Sequence, residues 1–88
     1  MVLRVIYFFQ DGCMACHEQK PILEEVERNC NIAADRINPL KNRAAIKEFR
    51  LSVTPTIVIL KNGTEVKRFE GLVHREPLEE AIRRFYIG

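Results

Sequence analysis

Residues Val2 to Phe9 form a nearly continuous apolar run in which only Arg4 is charged. The run is rich in β-branched and aromatic side chains, which is typical of a strand buried on both faces. Such a strand must lie inside a sheet that is covered on each side. In a chain of 88 residues, this requirement leaves room for only one core, so residues 1–88 are predicted to form a single domain.

The overall charge and apolar content exclude several classes of protein. Basic and acidic side chains number 14 and 12 and are interleaved along the chain, which gives no support to nucleic-acid binding. No apolar run approaches the roughly 18 residues of a membrane span, so a soluble protein is expected. The first residues lack a basic leader and a small-residue cleavage site. We interpret them as a strand rather than a signal peptide, and we expect a cytoplasmic location.

The first half of the chain predicts a strand, a helix, a short strand and a second helix. Apolar residues recur at the helical period over residues 14–29, and Pro21 lies inside that segment. A short strand is predicted over residues 33–37. Asn38 and Pro39 then have the residue types of an N-cap and a first helical position. The helix that they begin is predicted to bury Ala45, Ile46 and Phe49.

The second half of the chain predicts a hairpin and a final helix. Two strand-like segments, 56–60 and 65–69, flank the turn dipeptide Asn62-Gly63. After Gly71, a helix with Pro77 near its first turn carries apolar residues on one face, namely Leu78, Ala81, Ile82 and Phe85. The predicted fold class is therefore α/β, in the order β-α-β-α-β-β-α, with a mixed four-stranded sheet flanked by helices.

Two of the three cysteines stand in the segment Cys13-Met14-Ala15-Cys16, between the first strand and the first helix. Unpaired N–H groups and the helix dipole stabilise a thiolate at a helix start, which makes Cys13 the expected nucleophile. Cys16 lies one turn further into the helix, close enough to attack a mixed disulfide formed at Cys13. The pattern predicts a redox-active pair with Cys13 and Cys16 as catalytic residues.

Two metal-based alternatives and an inert pair are also compatible with this motif. A zinc site needs four ligands, and the remaining candidates, His17, Cys30 and His74, form no second spaced pair. His17 also completes Cys-x-x-Cys-His, the attachment motif of c-type haem. Alternatively, His17 is a helix residue whose positive charge stabilises a thiolate. Cys30 falls on the apolar face of the first helix, where we expect a small buried hydrophobe.

Several segments resemble the thioredoxin superfamily beyond the cysteine pair. Residues 49–56, Phe-Arg-Leu-Ser-Val-Thr-Pro-Thr, are similar to the segment that leads into the cis-proline of that family. Lys61-Asn62-Gly63 resembles its hairpin turn, and Gly71 stands where the family carries a glycine before the last helix. Pro21 occupies the position of the family's helix kink. The resemblance spans nearly the whole chain.

The resemblance implies a thioredoxin-like fold and a thiol-disulfide oxidoreductase that needs no cofactor. The Thr54-Pro55 peptide bond should be cis and should pack against Cys13, although only about 5–6% of such bonds in folded proteins are cis. The implied partners are protein disulfides and a thioredoxin reductase-like electron donor, and the implied state is a monomer. The implied substrate-binding residues surround the cysteine pair: Gly12, Met14, Val53, Thr54, Pro55 and Gly71.

The chain also departs from the family at two positions near the pair. Thioredoxins commonly carry Trp before the first cysteine, where this chain has Gly12, and a buried Asp where it has Tyr7. The docking surface must therefore differ, and another group or water must accept the proton of the resolving thiol. A glutaredoxin-like, glutathione-dependent enzyme and a non-catalytic binding module are the alternatives. The glycine and acidic pattern that holds glutathione in glutaredoxins is absent after Pro55.

Overall fold

The computed structural model describes residues 2–87, and its elements follow the predicted order β-α-β-α-β-β-α. The strands are β1 (Leu3–Phe8), β2 (Asp35–Ile37), β3 (Thr56–Lys61) and β4 (Thr64–Glu70). The helices are α1 (Met14–Cys30), α2 (Ala44–Glu48) and α3 (Arg75–Ile87). Within residues 2–87, no helix is long and apolar enough to cross a membrane.

The four strands form one mixed sheet in the order β2-β1-β3-β4. Strand β1 lies in its interior, parallel to β2 and antiparallel to β3, as its apolar composition predicts. Strands β3 and β4 form the predicted hairpin, and its turn residues Asn62 and Gly63 have φ angles of 52° and 83°. One irregularity in the register separates Ile59 from Leu60, and β4 forms an outer edge of the sheet.

Side chains of β1 alternate between two separate apolar clusters. Val5 and Tyr7 face the larger cluster, which also contains buried residues of α1 and α3. Ile6 and Phe8 face the smaller cluster, which contains Ala45 of α2. The molecule therefore has three layers, and β1 is buried on both faces. This arrangement brings the end of β1 and the start of α1 together beneath the Cys-x-x-Cys turn.

Helix α2 is shorter than predicted and begins later. Asn38 was expected to cap it, but the side chain of Asn38 accepts the N–H of Leu40 at 3.0 Å in a separate turn. The backbone N–H groups of Lys41 and Asn42 also bond to the Asn38 carbonyl, and regular helix starts only at Ala44. An Asn side chain that bonds to the backbone two residues ahead stabilises a turn as readily as a helix start. The predicted burial of Ala45 is confirmed, whereas Ile46 and Phe49 are half-buried.

Glu27 ties the end of α1 to β2. Its carboxylate accepts two hydrogen bonds from Arg36, at 2.8 and 3.0 Å, and one from the N–H of Ala34 at 2.7 Å. Together with Glu24 and Glu25, Glu27 would be expected on a solvated helix face, and for Glu27 this expectation is wrong. The hydrogen bond from Arg36 lowers the pKa of Glu27, against the opposing effect of burial.

Replacing Glu27 with glutamine is expected to destabilise the fold in a pH-dependent way. Because the pKa is lowered in the folded state, this carboxylate stabilises the protein above its unfolded-state pKa, and that contribution is lost as the pH falls through the folded-state pKa. We expect Glu27→Gln to reduce the free energy of unfolding by about 1–2 kcal/mol at pH 7. The effect is no larger because the Arg36 side chain is partly exposed, and solvent weakens its attraction to Glu27. Urea unfolding between pH 7 and pH 3 should show the difference shrinking. The exposed Glu18→Gln variant serves as the control, and an equal loss in both variants would contradict the prediction.

Candidate active site

The two cysteines of the Cys-x-x-Cys segment form a disulfide at the start of α1. Strand β1 ends at Phe8, a turn at Asp11 and Gly12 reverses the chain, and Cys13 is the N-cap residue of α1. Cys16 lies in the first helical turn, with its Cα 5.2 Å from that of Cys13. The end of a buried strand and the beginning of a helix therefore fix both sulfur atoms in place.

The two sulfur atoms differ in exposure and in hydrogen bonding. Cys13 is half-buried, whereas Cys16 is 4% exposed. The Sγ atom of Cys13 accepts the N–H of Cys16 at 3.1 Å, and the hydroxyl of Thr54 lies 3.8 Å from the same sulfur. Donors directed at a sulfur atom favour its thiolate form once the pair is reduced. Cys13 is thus both the accessible sulfur and the one surrounded by donors.

The loop before β3 lies against Cys13. The Thr54–Pro55 peptide bond is cis, and the Thr54 carbonyl oxygen is 3.8 Å from the Sγ atom of Cys13. The Pro55 ring is buried, and the Pro55 carbonyl accepts the N–H of Gly71 at 2.8 Å. The structure therefore brings together four residues predicted for the site, from three separate parts of the chain.

The remaining residues predicted to contact substrate lie at the surface around the pair. Met14, next to Cys13 in the chain, is 76% exposed, and Val53, next to Thr54, is 43% exposed, so two apolar side chains are in contact with water. Gly12 is also exposed, with φ 75° and no atom within 4 Å of the position that a Cβ would take. Their role as substrate contacts stays a prediction.

Tyr7 contributes a hydrogen bond that its assignment as a core residue did not predict. Its hydroxyl donates to the carbonyl oxygen of Cys16 at 2.7 Å, in a buried position. Burial raises the pKa of Tyr7, with a smaller opposing effect from Arg36. The hydroxyl is therefore a neutral donor near pH 7, and it cannot serve as the proton acceptor that a buried carboxylate would provide.

A cleft of about 330 Å³ opens beside the disulfide, on the side of β1 and β2. It is lined by the aromatic residues Tyr7 and Phe9, both cysteines, and a set of polar or small residues: Gln10, Asp11, Gly12, His17, Lys20 and Arg36. Gly12 stands at its rim, where members of the resembled family carry Trp. Gly12 adds no side chain to this lining, in which both cysteines take part.

Gln19 is the second residue near the site that the sequence interpretation missed. It lies one turn after Cys16 on α1 and is fully buried. Its side chain forms two hydrogen bonds with the backbone of Val73, in the segment that follows β4. Gln19 shares the helical spacing of Cys16, Leu23 and Val26, so a polar residue on the apolar face was the available sign.

The other candidate residues lie apart from the pair or at its margin. His17 is exposed on the first turn of α1, and Cys30 is half-buried at the far end of that helix. Burial is the main effect that raises the pKa of the Cys30 thiol, which fits the expected small hydrophobe. Among residues 2–87, no three side chains of metal-ligating type are grouped closely enough to hold an ion.

Comparisons with known proteins agree with this geometry. The family model described as Thioredoxin matches residues 2–84. The thioredoxin of Chlamydia pneumoniae is 30% identical over 83 residues, which cover 93% of this chain and 81% of that protein. A disulfide bond formation protein of Brevibacillus choshinensis is 29% identical over 86 residues, covering 94% of this chain and 70% of that protein. Thioredoxin-2 of the malaria parasite superposes with a TM-score of 0.88 at 27% identity, covering 94% of this chain and 82% of that chain.

Proposed function

Because the chain belongs to the thioredoxin family, we propose that it reduces disulfides in proteins, with Cys13 as the attacking thiolate and Cys16 as the resolving thiol. Family and fold make it a thiol-disulfide oxidoreductase, and the proposal adds the direction of electron flow and the two roles. The assignment of the two roles rests on the difference between Cys13 and Cys16 in exposure and in hydrogen bonding. Cys13 is the accessible sulfur with two nearby donors, and Cys16 is 4% exposed.

The proposed reaction proceeds in two exchanges at sulfur. The Cys13 thiolate attacks one sulfur of the substrate disulfide, and the bond formed is a mixed disulfide while the other substrate sulfur leaves as a thiolate and takes a proton. Cys16 then loses its proton to water in the cleft and attacks the Sγ atom of Cys13. The second substrate thiol is released. The substrate has gained two electrons and two protons, and the pair has become the disulfide seen here.

Substrate docking is proposed to use the surface around Cys13. The backbone of Thr54 is adjacent to the sulfur, so an extended peptide that pairs with it would bring its own disulfide within reach. Met14 and Val53 would supply apolar contacts on the two sides. Gly12 and Gly71 complete the proposed surface, whereas Pro55 is buried and is proposed to act by fixing the position of Thr54.

The proposed electron donor is a separate disulfide reductase of the thioredoxin reductase type, and the protein is proposed to act as a cytoplasmic monomer. Thioredoxins as a family act on protein disulfides and are reduced by such enzymes, which supports the general pairing. In favour of a monomer, both apolar clusters are already covered by the chain's own helices. An interleaved surface charge with a net value of +2 is compatible with solubility.

A second direction of electron flow is suggested by one relative. The Brevibacillus choshinensis relative is named a disulfide bond formation protein, and forming disulfides is the reverse of reducing them. In that case, the Cys13–Cys16 disulfide would be donated to reduced proteins and would be regenerated by an oxidant.

Measuring the reduction potential of the pair distinguishes these functions. Equilibration in glutathione buffers, followed by thiol counting, should give a potential near that of thioredoxin, about −270 mV. A value near −120 mV would contradict the reductase proposal and favour a disulfide donor. In parallel, reduction of insulin should depend on thioredoxin reductase with NADPH. Equal activity with glutathione and glutathione reductase would instead support the glutaredoxin-like alternative.

A further inference from the structure

Gln19 is a polar side chain with no exposed surface in the middle of the apolar face of α1. Its Nε2 donates to the Val73 carbonyl at 3.0 Å, and its Oε1 accepts the Val73 N–H at 2.9 Å. The side-chain amide of Gln19 thus pairs with the backbone of Val73 in the way that the backbone of a neighbouring strand would. A buried amide is costly without partners, so its presence here requires that the contact with Val73 persists.

The segment that Gln19 holds connects β4 to α3 and has no regular secondary structure between residues 71 and 74. Two backbone hydrogen-bonded contacts tie it to the rest of the molecule, and the buried side chain of Val73 also packs into the larger cluster. Gly71 donates its N–H to the Pro55 carbonyl, and Val73 is paired with Gln19. Without the Gln19 contact, only the packing of the Val73 side chain would hold the backbone of the segment between Gly71 and the start of α3.

The contacts around the disulfide form a closed circuit of three chain segments. Gln19 links α1 to the 71–74 segment, and Gly71 links that segment to Pro55. Thr54 then lies against the Sγ atom of Cys13, which returns the circuit to the start of α1. The 71–74 segment, which includes Gly71 of the proposed docking surface, is therefore linked to the helix of the cysteine pair both through Gln19 and through Pro55 and Thr54.

We propose that Gln19 is a positioning residue for protein substrates. It holds the 71–74 segment at a set position relative to Cys13, so that a polypeptide disulfide meets a surface already in place. The inference rests on the proposed reduction of protein disulfides. A small disulfide needs only Cys13 itself and makes no use of the segment.

The test compares Gln19→Met with a matched variant of the same helix, Asn29→Leu. Methionine keeps the length and shape of glutamine and removes both hydrogen bonds to Val73. Asn29 donates to Glu79 on α3 at 2.7 Å, so its replacement also removes a bond between α1 and its surroundings, far from the active site. Both variants and the wild type are reduced, freed of reductant, mixed with increasing insulin and quenched with acid. Alkylation and mass spectrometry then give the reduced fraction of this protein, because the exchange moves thiols to insulin and leaves their total unchanged. The same measurement uses 5,5′-dithiobis(2-nitrobenzoate) as a small disulfide.

We expect Gln19→Met to raise the half-saturating insulin concentration about tenfold, with the limiting rate changed less than twofold. Its reaction with the small disulfide should match the wild type, and Asn29→Leu should match the wild type with both substrates. Unchanged insulin kinetics in Gln19→Met would overturn the inference and leave the proposed function intact. A wild type that fails to reduce insulin would overturn the proposed function and the inference with it.

Hydrogen exchange in the unmodified protein tests the same tie without any substitution. The N–H of Val73 should exchange much more slowly than those of its neighbours Leu72 and His74. If Gln19→Met does not fold, hydrogen exchange at Val73 in the unmodified protein becomes the test of whether Gln19 holds the segment. Exchange at Val73 as fast as at its neighbours would show that Gln19 does not hold the segment.

Discussion

Replacing Cys16 with serine is expected to stop turnover and to leave the protein joined covalently to its substrates. In this variant Cys13 still lies at the start of α1, and its sulfur still has two donors nearby, the N–H of residue 16 and the hydroxyl of Thr54. The first attack can therefore proceed. A serine hydroxyl cannot attack the mixed disulfide to form a sulfur-sulfur bond, and the second exchange does not occur. We expect a loss of insulin turnover of at least about a thousandfold, with a mixed disulfide accumulating in its place.

Non-reducing gel electrophoresis and mass spectrometry identify the trapped complexes. Cys13→Ser is the complementary variant and should trap nothing, because Cys16 is buried. Cys30→Ser should behave like the wild type, since Cys30 lies at the far end of α1 and its thiol pKa is raised by burial. Complexes that form through Cys16 or Cys30, or none at all while the wild type remains active, would show that the assigned roles are wrong.

Replacing Phe8 with alanine is expected to have the largest effect on stability. Phe8 has no exposed surface and contributes a large side chain to the smaller cluster, in which four of the described residues are buried. Its ring centroid lies 5.1 Å from that of Phe49, which follows α2. Removing a buried aromatic ring costs about 3–5 kcal/mol, and small domains have about 5–15 kcal/mol in total. A large part of the fold's stability should therefore be lost.

Urea unfolding of the oxidised protein measures this effect. Tyr86→Ala is the control, because Tyr86 is 53% exposed on α3 and its loss should change the free energy of unfolding by less than about 0.5 kcal/mol. Should the two variants unfold at similar urea concentrations, the smaller cluster would not be needed to hold α2 against the sheet.

The sequence predicts the strands and the cysteine pair well because their patterns are local. The apolar run that ends at Phe8 needs burial on both sides, and Asn62-Gly63 allows little other than a hairpin turn. The beginning of α2 was predicted poorly, since Asn38 stabilises a turn and a helix start through the same kind of hydrogen bond.

The polar contacts around the disulfide were missed because each of them joins different elements of the fold. Gln19 and Val73 are 54 positions apart, and only the folded arrangement of α1 and the segment after β4 brings them together. The hydroxyl of Tyr7 reaches Cys16 from the neighbouring strand, which the alternation of apolar residues does not indicate. Periodicity shows which face of an element is buried, but it does not identify the partner of a polar group on that face.

The charged outer strand affects how the protein behaves at high concentration. Strand β4 leaves one row of backbone groups unpaired, and it carries Glu65, Lys67, Arg68 and Glu70 together with a break in the register opposite Ile59 and Leu60. A second molecule that extended the sheet there would have to match the break and place these charges beside its own. Strand-to-strand association at this edge is disfavoured for that reason, so the protein is expected to stay free of sheet-extending aggregates as its concentration rises.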